Sequence, residues 1–300
     1  MNEPTNPFRA HVRAEGVRLY RDLPWRDTRD PYAIWISEVM LLQQTQVPRV
    51  LTRWEEWLER FPSVFALAEA PVGDVLAAWQ GMGYNRRALA LKSAAETLVE
   101  SYDGVFPCDA KELCALPGIG PATAQGIRSF AFDLPGVYLE TNVRTVFLHH
   151  FFPDVPAVPD RELVPLIVRA CPGPAEDGWA EPVDAEDTPR SWYYALLDYG
   201  ARLKKTVPNP SRRSKSYTRQ SKFEGSRRQK RAHLVRVLLG AREAGAPALS
   251  LDELAASLNE SEAASARPAV ARDEVRSIVD ELAREGFCRE VSPDAWRIGS

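Results

Sequence analysis

Hydrophobic and polar positions along this 300-residue chain repeat with helical spacing almost throughout. Residues 8–22 set apolar side chains on one face and stop before Leu23-Pro24-Trp25-Arg26. Asp30-Pro31 opens a longer helix reaching about residue 47, whose run YAIWISEVMLL has almost no polar break. Helices follow over 50–60, 63–70 (capped by Ser63), 72–80 and 85–102, the last two separated by the tight corner Gly81-Met82-Gly83-Tyr84. Residues 112–148 hold two short helices broken by Leu116-Pro117-Gly118-Ile119-Gly120, then a helix over 142–149; further helices are predicted over 160–170 and 191–205. Residues 172–190, rich in Pro, Gly and acid, are expected to form a solvated loop. Period-two alternation appears only at the end, in 287–291 and 295–298 around Ser292-Pro293-Asp294, after helices at 226–243, 250–258 and 272–285. That is the order of a winged helix-turn-helix. The pattern predicts an all-α domain over 1–205, a basic linker over 206–225 and a small α+β winged-helix-like domain over 226–300.

Composition narrows the class without choosing a function. Apolar residues make up 45% and charged residues 26%, the proportions of an ordinary globular chain. No apolar run reaches the ~18 residues needed to span a bilayer, and the first fifteen residues lack the apolar core of a signal peptide, so a cytoplasmic location is expected. Cys108, Cys114, Cys171 and Cys288 fit neither a disulfide framework nor a metal site. The net charge of −3 hides an asymmetry: residues 202–231 carry twelve Lys/Arg and one acid, whereas 175–187 are acidic. Phosphate contact is local and salt-screened, so the basic run counts for more than the total. It suits either a solvated tether or a segment lying along a phosphate backbone. The helix over 272–285 is too acidic to read bases well.

Two carboxylates and one loop carry candidate chemistry. Glu38 sits among Trp35, Ile36, Val39, Met40 and Leu41, where an unpaired carboxylate is costly, so it is partnered, protonated or facing a cavity, unless it lies on a solvent face. Pro117 and Gly118 end one helix, Gly120 allows a tight turn and Pro121 suits the first position of the next. The resulting N–H groups at a helix N-terminus would suit a phosphate. Glu140 follows twenty residues after Gly120.

In this order, Leu23-Pro24-Trp25, Asp30-Pro31-Tyr32, Ile36-Ser37-Glu38-Val39-Met40-Leu41, Gln43-Gln44-Thr45-Gln46-Val47, Trp79-Gln80-Gly81-Met82-Gly83-Tyr84, the 116–120 hairpin, Leu139-Glu140-Thr141-Asn142-Val143 and Leu197-Asp198-Tyr199-Gly200 resemble the helix-hairpin-helix DNA glycosylases, in particular the MutY-type adenine glycosylases, over about residues 10–205. The resemblance implies a two-lobed helical glycosylase domain that rotates a nucleotide out of duplex DNA and hydrolyses its N-glycosidic bond. It implies Glu38, with a raised pKa, as general acid toward a purine ring nitrogen, Glu140 as the charge that stabilises the sugar cation and orients water, and Asn142 as support for the site. It also implies Gln43, Gln44 and Tyr84 as DNA-contacting residues, Gln43 and Tyr84 filling the vacated stack, and Leu116, Gly118 and Gly120 as the hairpin that holds a phosphate. Arg212, Arg213 and Lys215 are expected to touch DNA from the basic segment. Bifunctional relatives carry a lysine two residues after Gly120, where this chain has Ala122, so a monofunctional hydrolase is expected. The expected partner is double-stranded DNA with a mispair or lesion, bound by a monomer near the nucleoid. Adenine in a mispair is the leading substrate; thymine or uracil opposite guanine, a damaged purine, and an inactive DNA-binding homologue are alternatives.

The chain departs from that family in four places. Glu140 stands where relatives have Asp, and Met40-Leu41-Leu42-Gln43 carries one residue more than the family spacing. The four cysteines of an iron–sulfur site are absent after Gly200, so no cofactor is expected. A winged-helix-like unit occupies the place of an 8-oxoguanine-recognition domain.

Overall fold

The computed structural model describes residues 5–41, 47–218, 221–246 and 248–299. Most of it is helical, with a small antiparallel sheet at the C-terminal end. Two compact units are formed, one from Met1–Leu51 with Phe106–Arg219, the other from Thr52–Val105 with Gln220–Ser300. Gln43 and Gln44, and Leu42 of the lengthened spacing, lie outside the described residues.

In the first unit, α1 (Thr5–Leu19) packs along α11 (Pro189–Thr206), which in turn packs on α9 (Thr141–Phe151). Phe8 of α1 joins Phe147, Phe151 and Trp192 in an aromatic cluster, with ring centres 4.9 to 6.0 Å from its own. α2 (Pro31–Leu41) lies against α8 (Pro121–Ala131), and every residue from Tyr32 to Met40 is buried, as the unbroken apolar run requires. Asp30 caps α2, accepting from the amides of Tyr32 at 3.1 Å and Ala33 at 3.3 Å. The segment leading into α2 is pinned to α11 by a buried fork: Arg26 donates twice to the Asp198 carboxylate, both bonds 2.8 Å. α10 (Asp160–Ala170) completes this unit beside α9.

Two stretches, one expected to be a solvated loop and the other either a solvated tether or a segment along a phosphate backbone, are anchored to the fold. In the acidic loop Asp187 is buried and binds Arg9, while Asp184 meets Arg13 at 2.7 Å, clipping the loop onto α1. In the basic segment a short 3₁₀ turn, Pro210–Arg213, packs on α9, with Ser211 and Thr145 sharing a buried hydroxyl bond of 2.6 Å. Neither anchor shows in a local pattern, because each partner lies far away in sequence.

After α3 (Val47–Arg60), α4 (Val64–Glu69) and α5 (Val72–Ala78) of the second unit pack on α6 (Arg86–Tyr102), and α5 also meets α12 (Arg227–Glu243). The C-terminal segment forms α12, α13 (Leu251–Ala264) and α14 (Arg272–Arg284), with β2 (Cys288–Ser292) and β3 (Ala295–Ile298) as the expected hairpin. A third strand, β1 (Leu249–Ser250), pairs with β3 and gives the order β1-β3-β2. Two residues are too few to show alternation. α13 continues past the predicted end at residue 258 to Ala264, started by a capping box between Ser250 and Glu253.

Candidate active site

Glu38 lies on the α8-facing side of α2 with 8% of its surface exposed. Its Oε2 accepts a 2.9 Å hydrogen bond from the Tyr138 hydroxyl. Opposite, α8 carries Gly126 in mid-helix, and a Cβ there would sit 2.2 Å from the same oxygen. The glycine is the space the carboxyl occupies. Burial pushes the Glu38 pKa up to about 8, the Tyr138 hydrogen bond pulls it down, and the charge of Glu140 pushes it further up. Glu38 is therefore mostly protonated at neutral pH and can donate. Tyr138 is fixed by edge-on contacts with Phe130 and Tyr193, both 5.3 Å between centres, and by its backbone N–H, which donates to the Tyr193 hydroxyl at 3.2 Å. Burial and nearby Glu38 raise the Tyr138 pKa well above the ordinary phenol range, so it stays a donor.

Glu140 caps α9: its Oε1 accepts from the Asn142 amide at 2.8 Å, as a shorter aspartate would, and a helix N-terminus favours the negative charge. Oε2 takes no hydrogen bond among the described residues, which leaves one anionic oxygen for other work. Asn142 Oδ1 accepts from Lys204 Nζ at 2.7 Å, and burial lowers the Lys204 pKa. This contact is possible because Gly200 lets α11 approach the Asn142 backbone; a Cβ at 200 would meet its carbonyl oxygen at 2.3 Å.

The hairpin folds as expected. α7 (Ala110–Ala115) is capped by Asp109, Gly118 takes φ +73°, and Pro121 opens α8 with Gly120 as its cap residue. The amides of Gly118 and Gly120 donate to no other group among the described residues, so two N–H groups remain beside the α8 N-terminus. Leu116 as a whole is 2% exposed, and its backbone is taken within the hairpin: its amide donates to the Leu113 carbonyl and its carbonyl accepts from the Ile119 amide, both at 3.2 Å.

The three basic candidates differ in employment. Arg213 donates to the carbonyls of Leu148, at 3.1 Å, and Pro153, closing the end of α9. Arg212 and Lys215 are exposed. In the second unit, Tyr84 sits at the Gly81–Gly83 corner with φ +52° and 38% of its surface exposed, and the Arg87 guanidinium lies 4.8 Å from its ring centre.

Sequence reasoning singled out the two carboxylates but missed Tyr138, Gly126 and Lys204. A signal existed for Gly126: glycine inside a helix costs about 1 kcal/mol against alanine, so its presence there points to a close approach. Among the described residues no group of three or more His, Cys, Asp or Glu side chains is placed to hold a metal ion.

Residues 37–177 match the family model for "HhH-GPD superfamily base excision DNA repair protein". The adenine DNA glycosylase of Buchnera aphidicola subsp. Baizongia pistaciae is 38% identical over 131 residues, 44% of this chain and 37% of that protein. The adenine DNA glycosylase of Mycobacterium tuberculosis is 42% identical over 130 residues, 43% of this chain and 42% of that one. The matched stretch spans less than half of either relative. Among solved structures, a thermostable thymine-DNA glycosylase aligns with TM-score 0.56 and 22% identity over 67% of this chain and 87% of that one. Endonuclease III trapped as a covalent DNA intermediate aligns with TM-score 0.52 and 18% identity over 68% of this chain and 85% of that one. At such identities the two structures speak for the fold alone. Residues 37–177 are thus an HhH-GPD superfamily domain, homologous to the adenine DNA glycosylases.

Proposed function

We propose that this protein is a monofunctional DNA glycosylase that hydrolyses the N-glycosidic bond of a base rotated out of duplex DNA, with adenine in a mispair as the leading substrate. The observation that carries the reading is the buried Glu38 carboxyl, held by Tyr138 and protonated near neutrality. A purine leaves readily once a ring nitrogen is protonated, and a carboxylic acid with a pKa near the working pH suits that transfer. The C1′–N bond breaks as the base takes the proton. Positive charge then grows on the sugar, and the Glu140 carboxylate, with one oxygen uncommitted, is the group to stabilise it and to receive a proton from the attacking water. The hairpin amides would hold a phosphate, Arg212 and Lys215 would add counter-charge, and Tyr84 would fill the gap in the stack. Ala122 offers no amine two residues after Gly120, so a Schiff base at that position is not part of the reaction.

The test is single-turnover base release from duplexes carrying adenine opposite normal or oxidised guanine, thymine or uracil opposite guanine, and deaminated or alkylated purines. Wild type, Glu38→Gln and Glu140→Gln are compared. Release of adenine that both substitutions abolish supports the proposal. Release of a pyrimidine that only Glu140→Gln abolishes replaces adenine with that base and removes Glu38 from the acid role. Tight binding with no release from any duplex would end the enzymatic reading, and efficient borohydride trapping on DNA would end the monofunctional one.

A further inference from the structure

The first turns of α12 divide their basic residues between two tasks. Arg227 and Arg231 reach Glu281 of α14, at 2.7 and 3.1 Å, and Lys230 reaches Glu274 at 2.7 Å. Glu274 and Glu281 of α14 are thus spent on holding α12. Arg228 meets no carboxylate among the described residues. Its Nη1 donates to the Tyr84 hydroxyl at 3.0 Å and its Nη2 to the Ser221 carbonyl at 2.8 Å, and its guanidinium lies 5.7 Å from the Tyr84 ring centre. Tyr84, on a left-handed backbone that a bulky residue rarely adopts, is therefore gripped at its hydroxyl by Arg228 while Arg87 lies near its ring. The corner itself is tied down by Trp79, whose Nε1 donates to the Gly83 carbonyl at 3.0 Å.

We propose that Arg228 is a positioning residue that presets the Tyr84 ring for insertion into the DNA stack, so that the C-terminal segment acts on base extrusion through one side chain. An exposed tyrosine ordinarily loses rotamer freedom when it enters a stack; a ring already fixed loses less, and insertion is faster. The guanidinium that fixes it also leaves positive charge beside the phosphates flanking an inserted ring. The proposal rests on the glycosylase reading above for its biological meaning, but its test does not require base release.

The experiment uses the full-length chain and stopped-flow fluorescence on a duplex carrying 2-aminopurine next to a tetrahydrofuran abasic analogue, with salt-dependent affinity measured in parallel. Tyr84→Ala should abolish the insertion signal. Arg228→Ala should slow it about tenfold, the scale of one lost hydrogen bond from a charged donor. Arg228→Lys should keep the salt dependence but not the rate, because an ammonium cannot bridge Tyr84 and Ser221 as the guanidinium does. Tyr84→Phe keeps the ring and every other contact of Arg228, and should slow insertion without loss of fold. The double variant Arg228→Ala/Tyr84→Ala should show no insertion signal, and its affinity loss should be smaller than the sum of the two single losses. An insertion rate unchanged in Arg228→Ala, or an affinity loss that simply adds to that of Tyr84→Ala, would overturn the proposal and leave Arg228 a plain phosphate contact. A wild-type protein that inserts but releases no base would end the glycosylase reading and leave this one standing.

Discussion

Replacing Glu38 by glutamine should make the protein more stable, and increasingly so as pH rises. Glutamine keeps the shape that fits over Gly126 and keeps an acceptor for the Tyr138 hydroxyl, but removes the ionisation. In the unfolded chain the carboxyl titrates near its ordinary value of 4.5; in the folded protein it titrates at about 8. Because the folded pKa is the higher one, the folded state holds the proton over that window while the unfolded state has released it. Stability contributed by Glu38 is therefore full below pH 4.5 and falls as pH rises, until the folded carboxyl also ionises at about 8. At about 1.4 kcal/mol per pH unit the loss reaches roughly 3 kcal/mol at pH 7 and roughly 5 kcal/mol above pH 8. Urea denaturation of wild type and Glu38→Gln at pH 5, 7 and 9 measures it as a difference, so the other titrating groups cancel. A gap between the two proteins that stays within about 1 kcal/mol across that range would refute a desolvated, protonated Glu38 and with it the acid assignment.

Three further outcomes are expected. If Glu38 is the acid, base release should fall above about pH 8, and Tyr138→Phe should move that limb upward by about one pH unit, because it removes the hydrogen bond that favours the carboxylate; a pH–rate profile reads this directly. Gly126→Ala brings a methyl within 2.2 Å of Glu38 Oε2 and 3.1 Å of the Tyr138 ring, so it should displace the carboxyl and cost about a hundredfold in single-turnover rate, with about 1–3 kcal/mol lost in denaturation. Arg213→Ala should lower thermal stability by uncapping α9 yet leave the salt dependence of DNA binding unchanged, whereas Arg212→Ala should reduce that salt slope by about one and leave stability within about 0.5 kcal/mol; fluorescence anisotropy and calorimetry separate the two.

Much of the first unit was legible because its signals are local. A carboxylate inside an unbroken apolar run, a Leu-Pro-Gly-Ile-Gly turn and an acid before a helix each state their business within a few residues. What escaped depends on partners brought from far away. Tyr138 is one hundred residues from Glu38, and no periodicity marks it as the donor. Arg213 looked like its basic neighbours until the α9 carbonyls claimed it. Asp187, in a loop with every mark of solvation, is buried by an arginine at position 9. The acidity of α14 was visible, but the pairing of Glu274 and Glu281 with α12 was not.

The two-piece construction of the second unit has a consequence for synthesis. Thr52–Val105 leave the ribosome 114 residues before Gln220, where the rest of the unit begins. At about 5–20 residues per second that gap lasts roughly 6–23 seconds. Throughout it Val72 awaits the strand end at Gly299, and Gly73 and Asp74 await the Arg242 side chain that will cover one and pair with the other at 2.9 Å. A premature stop anywhere after residue 220 would therefore do more than delete an appendage. It would leave an unfinished half-unit in mid-chain, a standing target for chaperones and proteases, and the damage would appear first as low abundance.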